Sequence, residues 1–175
     1  FFSAGASRLT ADATGVPKET FRALRFTVGL DARTNARTPD TFDEGHPLRA
    51  AIDTMHWGWT GGFIFMAVEG RSPHGAFSYH LANDANATTV TVPVEFTGGG
   101  PVTITLALDA RALLQDINFS SAPNSSHSRE GDVIAPLLRA GLQRAFRVVD
   151  VSTDLFQPVA ATAPDAAIPG THPVS

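Results

Sequence analysis

Trp57 and Trp59 are the only tryptophans in the chain, and His56 directly precedes them in the stretch DTMHWGWTGGFIFMAVEG, Asp53–Gly70. A second histidine, His80, follows in AFSYHLA, Ala76–Ala82. Imidazole is a good ligand for copper, zinc, nickel and iron. The chain has no cysteine, which excludes disulfides, thiolate catalysis and Cys-based zinc or iron–sulfur sites. His, Met and carboxylates remain as the strong ligands. The plainer alternative is that each His is a satisfied or surface side chain and that the tryptophans fill a core.

A second set of donors lies between Leu30 and Met55. Asp31, Asn35, Asp40, Asp43 and Glu44 are the hard oxygen ligands that calcium takes, but they lack the spacing of an EF-hand. A solvated acidic loop would carry the same residues. Loops beyond about 12–15 residues are usually functional or disordered. No Ser/His/Asp elbow, HExxH, P-loop or GxGxxG within a βαβ unit is present. Glu69 lacks a second placed carboxylate for acid–base work. No catalytic constellation therefore stands out, and no turnover is expected.

These residues must be positioned by short strands. Phe21–Leu30 alternates, GFIFMAVEG is a near-continuous apolar run, and RSPHG (Arg71–Gly75) is a turn leading into a return strand over Ala76–Ala82. On that strand Phe77, Tyr79 and Leu81 share one face, and Ser78 and His80 the other. Thr88–Thr97 alternates around Pro93, which suits an edge or a bulge. With the Gly98–Gly100 turn and Pro101–Ala110 it is expected to form a second hairpin. A short helix is expected after Asp109, a polar loop over Asn118–Asp132, and a helix over Val133–Val149 with Pro136 in its first turn. The fold class is all-β, an immunoglobulin-like two-sheet β-sandwich with long loops and a short C-terminal helix. It occupies residues 1–156 as one domain, with a flexible Pro/Ala/Thr-rich tail over 157–175.

The hairpin limits the metal hypothesis. Centred on Arg71–Gly75, it sets His80 across from about Phe65, with His56 roughly 30 Å further along. The two meet only if the chain folds back before Phe63, which Gly58, Gly61 and Gly62 would permit. His56 also points away from Met55, Trp57 and Trp59 by strict alternation.

Composition sets the outer limits. The 175 residues are 43% hydrophobic with a net charge of −4, an ordinary globular chain. Lys18 is its one lysine and the arginines are scattered, so no nucleic-acid partner is expected. No apolar run reaches the roughly 18 residues of a membrane span, and no signal peptide is evident. The start at Phe1 without a Met reads as a mature or truncated form.

The run FTVGLDARTNARTPDTFDEGHPLRAAIDTMHWGWTGGFIFMAVEG, followed by YHLA at Tyr79–Ala82 and by Asp109, Leu113 and Leu114, resembles the MbnP family. These are copper-binding proteins found near methanobactin loci, related in function to copper proteins of methane oxidisers. The resemblance spans roughly Leu24 to Phe146. It rests on Phe26, Val28, Gly29, Leu30, Asp31, Asn35, Leu48, Met55, Trp57, Trp59, Gly62, Phe63, Ile64, Phe65, Glu69 and Gly70. Two features depart from it. Several strands that the family carries before this core are not evident here, and many relatives contain Cys pairs.

The resemblance implies a mononuclear copper site of two histidines beside a tryptophan oxidised to kynurenine by a partner dihaem enzyme of the MauG type. Carried over by position, His80 is the first ligand and His56 the candidate for the second. Trp59, ahead of Trp57, is the candidate for modification. Two neutral imidazoles suit Cu(I), with affinity falling as they protonate. The implied role is copper acquisition or handling, in the periplasm or at the cell surface. Calcium in the Asp31, Asn35, Asp40, Asp43 loop could accompany it. The competing reading is a metal-free β-sandwich that serves as a protein-interaction module.

Overall fold

The computed structural model describes residues 10–49, 55–57 and 62–153. Trp59 and the tail 157–175 lie outside the described residues. Seven strands are described: β1 (Thr20–Val28), β2 (Ile64–Ser72), β3 (Gly75–Ala82), β4 (Thr88–Thr97), β5 (Thr103–Leu108), β6 (Ser125–Ser126) and β7 (Phe146–Ser152). Three helices accompany them: α1 (Ala32–Asn35), α2 (Ala110–Leu114) and α3 (Ile134–Ala145). The architecture is all-β and sandwich-like, with the strands divided among the sheets β1–β4, β2–β3–β6 and β5–β7.

Period-two patterning builds the core. In β4, Thr88, Val90 and Val92 are buried while Thr89, Thr91 and Pro93 are exposed. Tyr79 and Leu81 of β3 join them, and α3 covers the cluster with Ile134, Leu138 and Leu142, which repeat at four-residue spacing on one face. Pro93, opposite Ala23, stands next to the register shift between β1 and β4, the kind of irregularity in which a strand proline is found.

Three expectations change. β4 and β5 are not a hairpin: β4 pairs with β1, and β5 with β7. The Gly98 N–H instead donates to the Glu19 carbonyl at 2.9 Å. A Cβ at Gly98 would lie 2.3 Å from the Pro17 carbonyl oxygen. The glycine turn thus packs onto the chain entering β1 rather than folding β5 back onto β4. The C-terminal helix stops at Ala145, because FRVVDVS is an alternating, Val-rich strand sequence that finds β5 as a partner, Leu108 opposite Phe146. The β2–β3 turn is also tighter than expected. Ser72 pairs with Gly75, so only Pro73 and His74 are in the loop and His80 stands opposite Ala67, not Phe65.

The long loop after β1 has a small core of its own. Phe42 and Phe63 are buried there, with Leu30, Leu48, Met55 and Phe65 against them. The Arg37 guanidinium sits 3.8 Å above the Phe42 ring, and the His46 ring stacks on the same phenylalanine. Asn35 ties this loop to β2. Its Oδ1 accepts the Phe63 N–H at 2.9 Å, and its Nδ2 donates to Asp84 Oδ1 at 2.8 Å. Gly62 is left-handed at φ +67, and a Cβ there would fall 2.7 Å from Asn35 Oδ1, so only glycine fits beside this bond.

Candidate metal centre

Strand alternation puts Tyr79 and Leu81 in the core and turns His80 to the opposite face with Ser78, as the sequence predicts. The polar loop after α2 then contributes a residue that sequence reasoning missed. β6 pairs in parallel with β3, Ser78 beside Ser125 and Tyr79 beside Ser126. One step further along that register, His127 comes level with His80. Their ring centroids are 5.1 Å apart, close to the spacing of neighbouring strands.

The His127 segment is held on both sides. The Ser78 N–H donates to the Asn124 carbonyl at 2.9 Å, and the Tyr79 hydroxyl donates to the Pro123 carbonyl at 3.0 Å. Ser128 Oγ donates to the His80 carbonyl at 2.9 Å and accepts from the Ala82 N–H at 3.0 Å. Asp132 closes the segment. Its Oδ2 accepts from Ser126 Oγ and the Ser128 N–H, at 2.6 and 2.8 Å, while its Oδ1 accepts from the Ile134 and Ala135 N–H groups that begin α3. Burial pushes the Asp132 carboxyl up, but the bonds from Ser126, Ala135, Ile134 and Ser128 together outweigh it and hold the group below the usual range.

His80 has a defined partner on one ring nitrogen. Its Nε2 lies 2.9 Å from Glu69 Oε1 and 3.3 Å from Ser78 Oγ, and Ser78 Oγ donates to the same Glu69 oxygen at 2.8 Å. The bond from His80, followed by that from Ser78, holds the Glu69 carboxyl below the ordinary glutamate range. The other nitrogen, Nδ1, is buried with no hydrogen-bond partner among the described residues, and the same is true of His127 Nδ1. A buried polar atom left unpaired costs about 1–3 kcal/mol, so two such atoms on adjacent imidazoles call for a water, an ion or another partner.

Trp57 borders the pair. Its ring meets His127 nearly edge-on, centroids 6.1 Å apart and planes at 83°. His56 looks elsewhere. Met55–Trp57 runs antiparallel beside Gly62–Ile64, with the Ile64 N–H donating to the Met55 carbonyl at 2.8 Å. This is the fold-back that the glycines were expected to allow. His56 bridges to Phe63, and its ring packs edge-on against that phenylalanine, 4.7 Å between centroids. The structure thus brings His80, His127 and Trp57 together and leaves His56 buried with the loop core.

The calcium candidates are spread through the loop with separate tasks. Asp31 caps α1 by accepting from the Thr34 N–H and hydroxyl, which lowers its carboxyl. Asn35 makes the two bonds described above. Asp40 accepts from the Thr38 hydroxyl, the main reason its carboxyl is lowered; Arg49 and His56 add to it electrostatically. The Asp43 carbonyl accepts the His46 N–H. Among the described residues no group of three or more His, Asp or Glu side chains could hold a metal ion. The arrangement that remains is a pair of imidazoles, each with a buried Nδ1 that no described group satisfies, flanked by an indole. Imidazole donors suit copper, zinc, nickel and iron.

No curated protein and no solved structure matches the chain. The MbnP family profile does, over residues 2–128. That span holds Trp57, Glu69, Ser78, His80 and His127 and ends one residue after His127, so it takes in the imidazole pair and the groups beside it but not Asp132. The chain belongs to the MbnP family, whose function is copper-related.

Proposed function

We propose that this is a copper-binding protein without catalytic turnover, in which His80 and His127 hold a single copper ion beside Trp57. The observation that carries the reading is the adjacency of two imidazoles, 5.1 Å between centroids, each with a buried Nδ1 that no described group satisfies. His127 takes the place of His56 as second ligand in this reading, because the His56 ring packs on Phe63. Trp57, against His127, is the residue that a dihaem partner of the MauG type would oxidise to kynurenine. Copper acquisition or handling in the periplasm or at the cell surface is the accompanying role. Among the described residues no helix is long and apolar enough to cross a membrane. Copper, when bound, would supply a redox-active centre or a cargo; the protein's own part is to hold two neutral imidazoles and to screen them with an indole.

The test is copper content and Cu(I) competition titration on wild type and on His80→Ala, His127→Ala and His56→Ala. The first two variants are expected to lose the tight site, and His56→Ala to keep it. Tight binding that survives both His80→Ala and His127→Ala, or no binding in wild type, refutes the reading. Peptide mass mapping over Trp57 and Trp59 then tests the modification. An unmodified Trp57 in protein co-produced with the partner enzyme counts against that part.

A further inference from the structure

The hydrogen bonds around His80 form a closed triangle, and its logic fixes where one proton sits. Ser78 Oγ has a single hydrogen, and it is donated to Glu69 Oε1 at 2.8 Å. The ionised Glu69 can only accept. His80 Nε2 therefore faces two acceptors, the carboxylate at 2.9 Å and the serine lone pairs at 3.3 Å. Only an Nε2 that carries hydrogen satisfies both. In the neutral ring the lone pair is then on Nδ1, the buried atom without a described partner.

We infer that Glu69, with Ser78, is a positioning pair that locks His80 as the Nε2–H tautomer and so presents Nδ1 as its metal-ligating atom. The meaning for copper rests on the proposed function; the tautomer does not. β-Sheet register supplies the geometry. Glu69 pairs with Ser78, and His80 pairs with Ala67, so Glu69 is the diagonal neighbour of His80 on one face, within reach of a long side chain. The pattern is the one in which a metal-binding histidine gives its other N–H to a carboxylate, which fixes ring orientation and raises ligand basicity. Glu69 acts through His80 and touches no metal itself. Its side chain is 60% exposed against 16% for His80, so replacing it leaves the core alone.

Long-range 1H–15N correlation of the imidazole nitrogens in the metal-free protein, at pH about 8 where an ordinary histidine is neutral, tests this directly. Wild type is expected to show His80 with a protonated Nε2 and a bare Nδ1. Glu69→Ala is expected to give a mixture of tautomers, and Glu69→Gln, whose amide oxygen can still accept, to restore the wild-type pattern. Cu(I) affinity should weaken about 10–100-fold in Glu69→Ala, with recovery in Glu69→Gln. An Nδ1–H tautomer in wild type overturns the inference, as does a Glu69→Ala spectrum identical to wild type. A locked tautomer in a wild type that binds no Cu(I) sustains the role of Glu69 and defeats the copper reading instead.

Discussion

Removing the Asp132 carboxylate should weaken the protein and the proposed copper site together. The group accepts four hydrogen bonds. Two come from the first turn of α3 and two from Ser126 and Ser128, the residues on either side of His127. Loss of a helix cap costs about 1 kcal/mol. Ser126 and Ser128 are each 5% exposed, and a buried donor deprived of a charged acceptor costs about 1–3 kcal/mol. Asp132→Ala should therefore cost about 3–4 kcal/mol, a fall in Tm of about 10 °C for a domain of this size. Urea unfolding monitored at equal m gives the loss from the midpoint shift. The Cu(I) titration should show weaker binding although both histidines remain. The carboxyl is depressed, so its contribution is fully present above the unfolded aspartate value of about 3.9 and is lost as pH falls through the lower folded value. The gap between wild type and Asp132→Asn should thus close in acid. A variant within about 0.5 kcal/mol of wild type, or a gap that widens as pH falls, refutes the reasoning.

Other perturbations follow from the same bonds. Asn35→Ala strands the Phe63 N–H beneath the loop and should cost about 2–3 kcal/mol in a urea titration; a chelator such as EGTA should leave the wild-type Tm unchanged if the loop is held by these bonds alone. Tyr79→Phe leaves the Pro123 carbonyl without its donor, for about 1 kcal/mol. It should also speed amide exchange over Asn124–Ser128 more than in β4, and uniform protection would count against the role given to that hydroxyl.

What the sequence made legible is what repeats locally. Period-two runs gave β1 and β4, a near-continuous apolar run gave β2 and the turn after it gave β3, on which alternation put Ser78 and His80 on one face away from Tyr79. Four-residue spacing gave α3, and an Asp before Ala110 gave the start of α2. The failures lie where distant segments choose partners. Nothing in TTVTVPVEFT says that it prefers β1 to the strand that follows it; in the structure Gly98 packs against Pro17 and its N–H donates to the Glu19 carbonyl, which accompanies the pairing with β1. The helical pattern over Val133–Val149 was real as far as Ala145, after which pairing with β5 overrode it.

The proposed copper site shows the same division more sharply. His80 was readable because an eight-residue strand declares its faces. His127 was not, because β6 is two residues long inside a serine-rich run, and a parallel pairing reached 47 positions along the chain leaves no periodic trace. Its only local signal is a histidine among serines that can serve as hydrogen-bonding braces, with an aspartate at Asp132 to receive them. The parallel pairing also explains why His127 rather than His56 stands beside His80. In a parallel ladder, side chains level with one another on adjacent strands point the same way at strand spacing, so two imidazoles are brought side by side without any distortion of β3. His56 reaches the neighbouring segment through the Phe63 bridge, and that pairing turns its ring to the phenylalanine while the next residue, Trp57, is turned to His127. The clustering of His and Trp in the sequence thus occupies both sides of one extended segment, with the indole against His127 and the imidazole before it against Phe63.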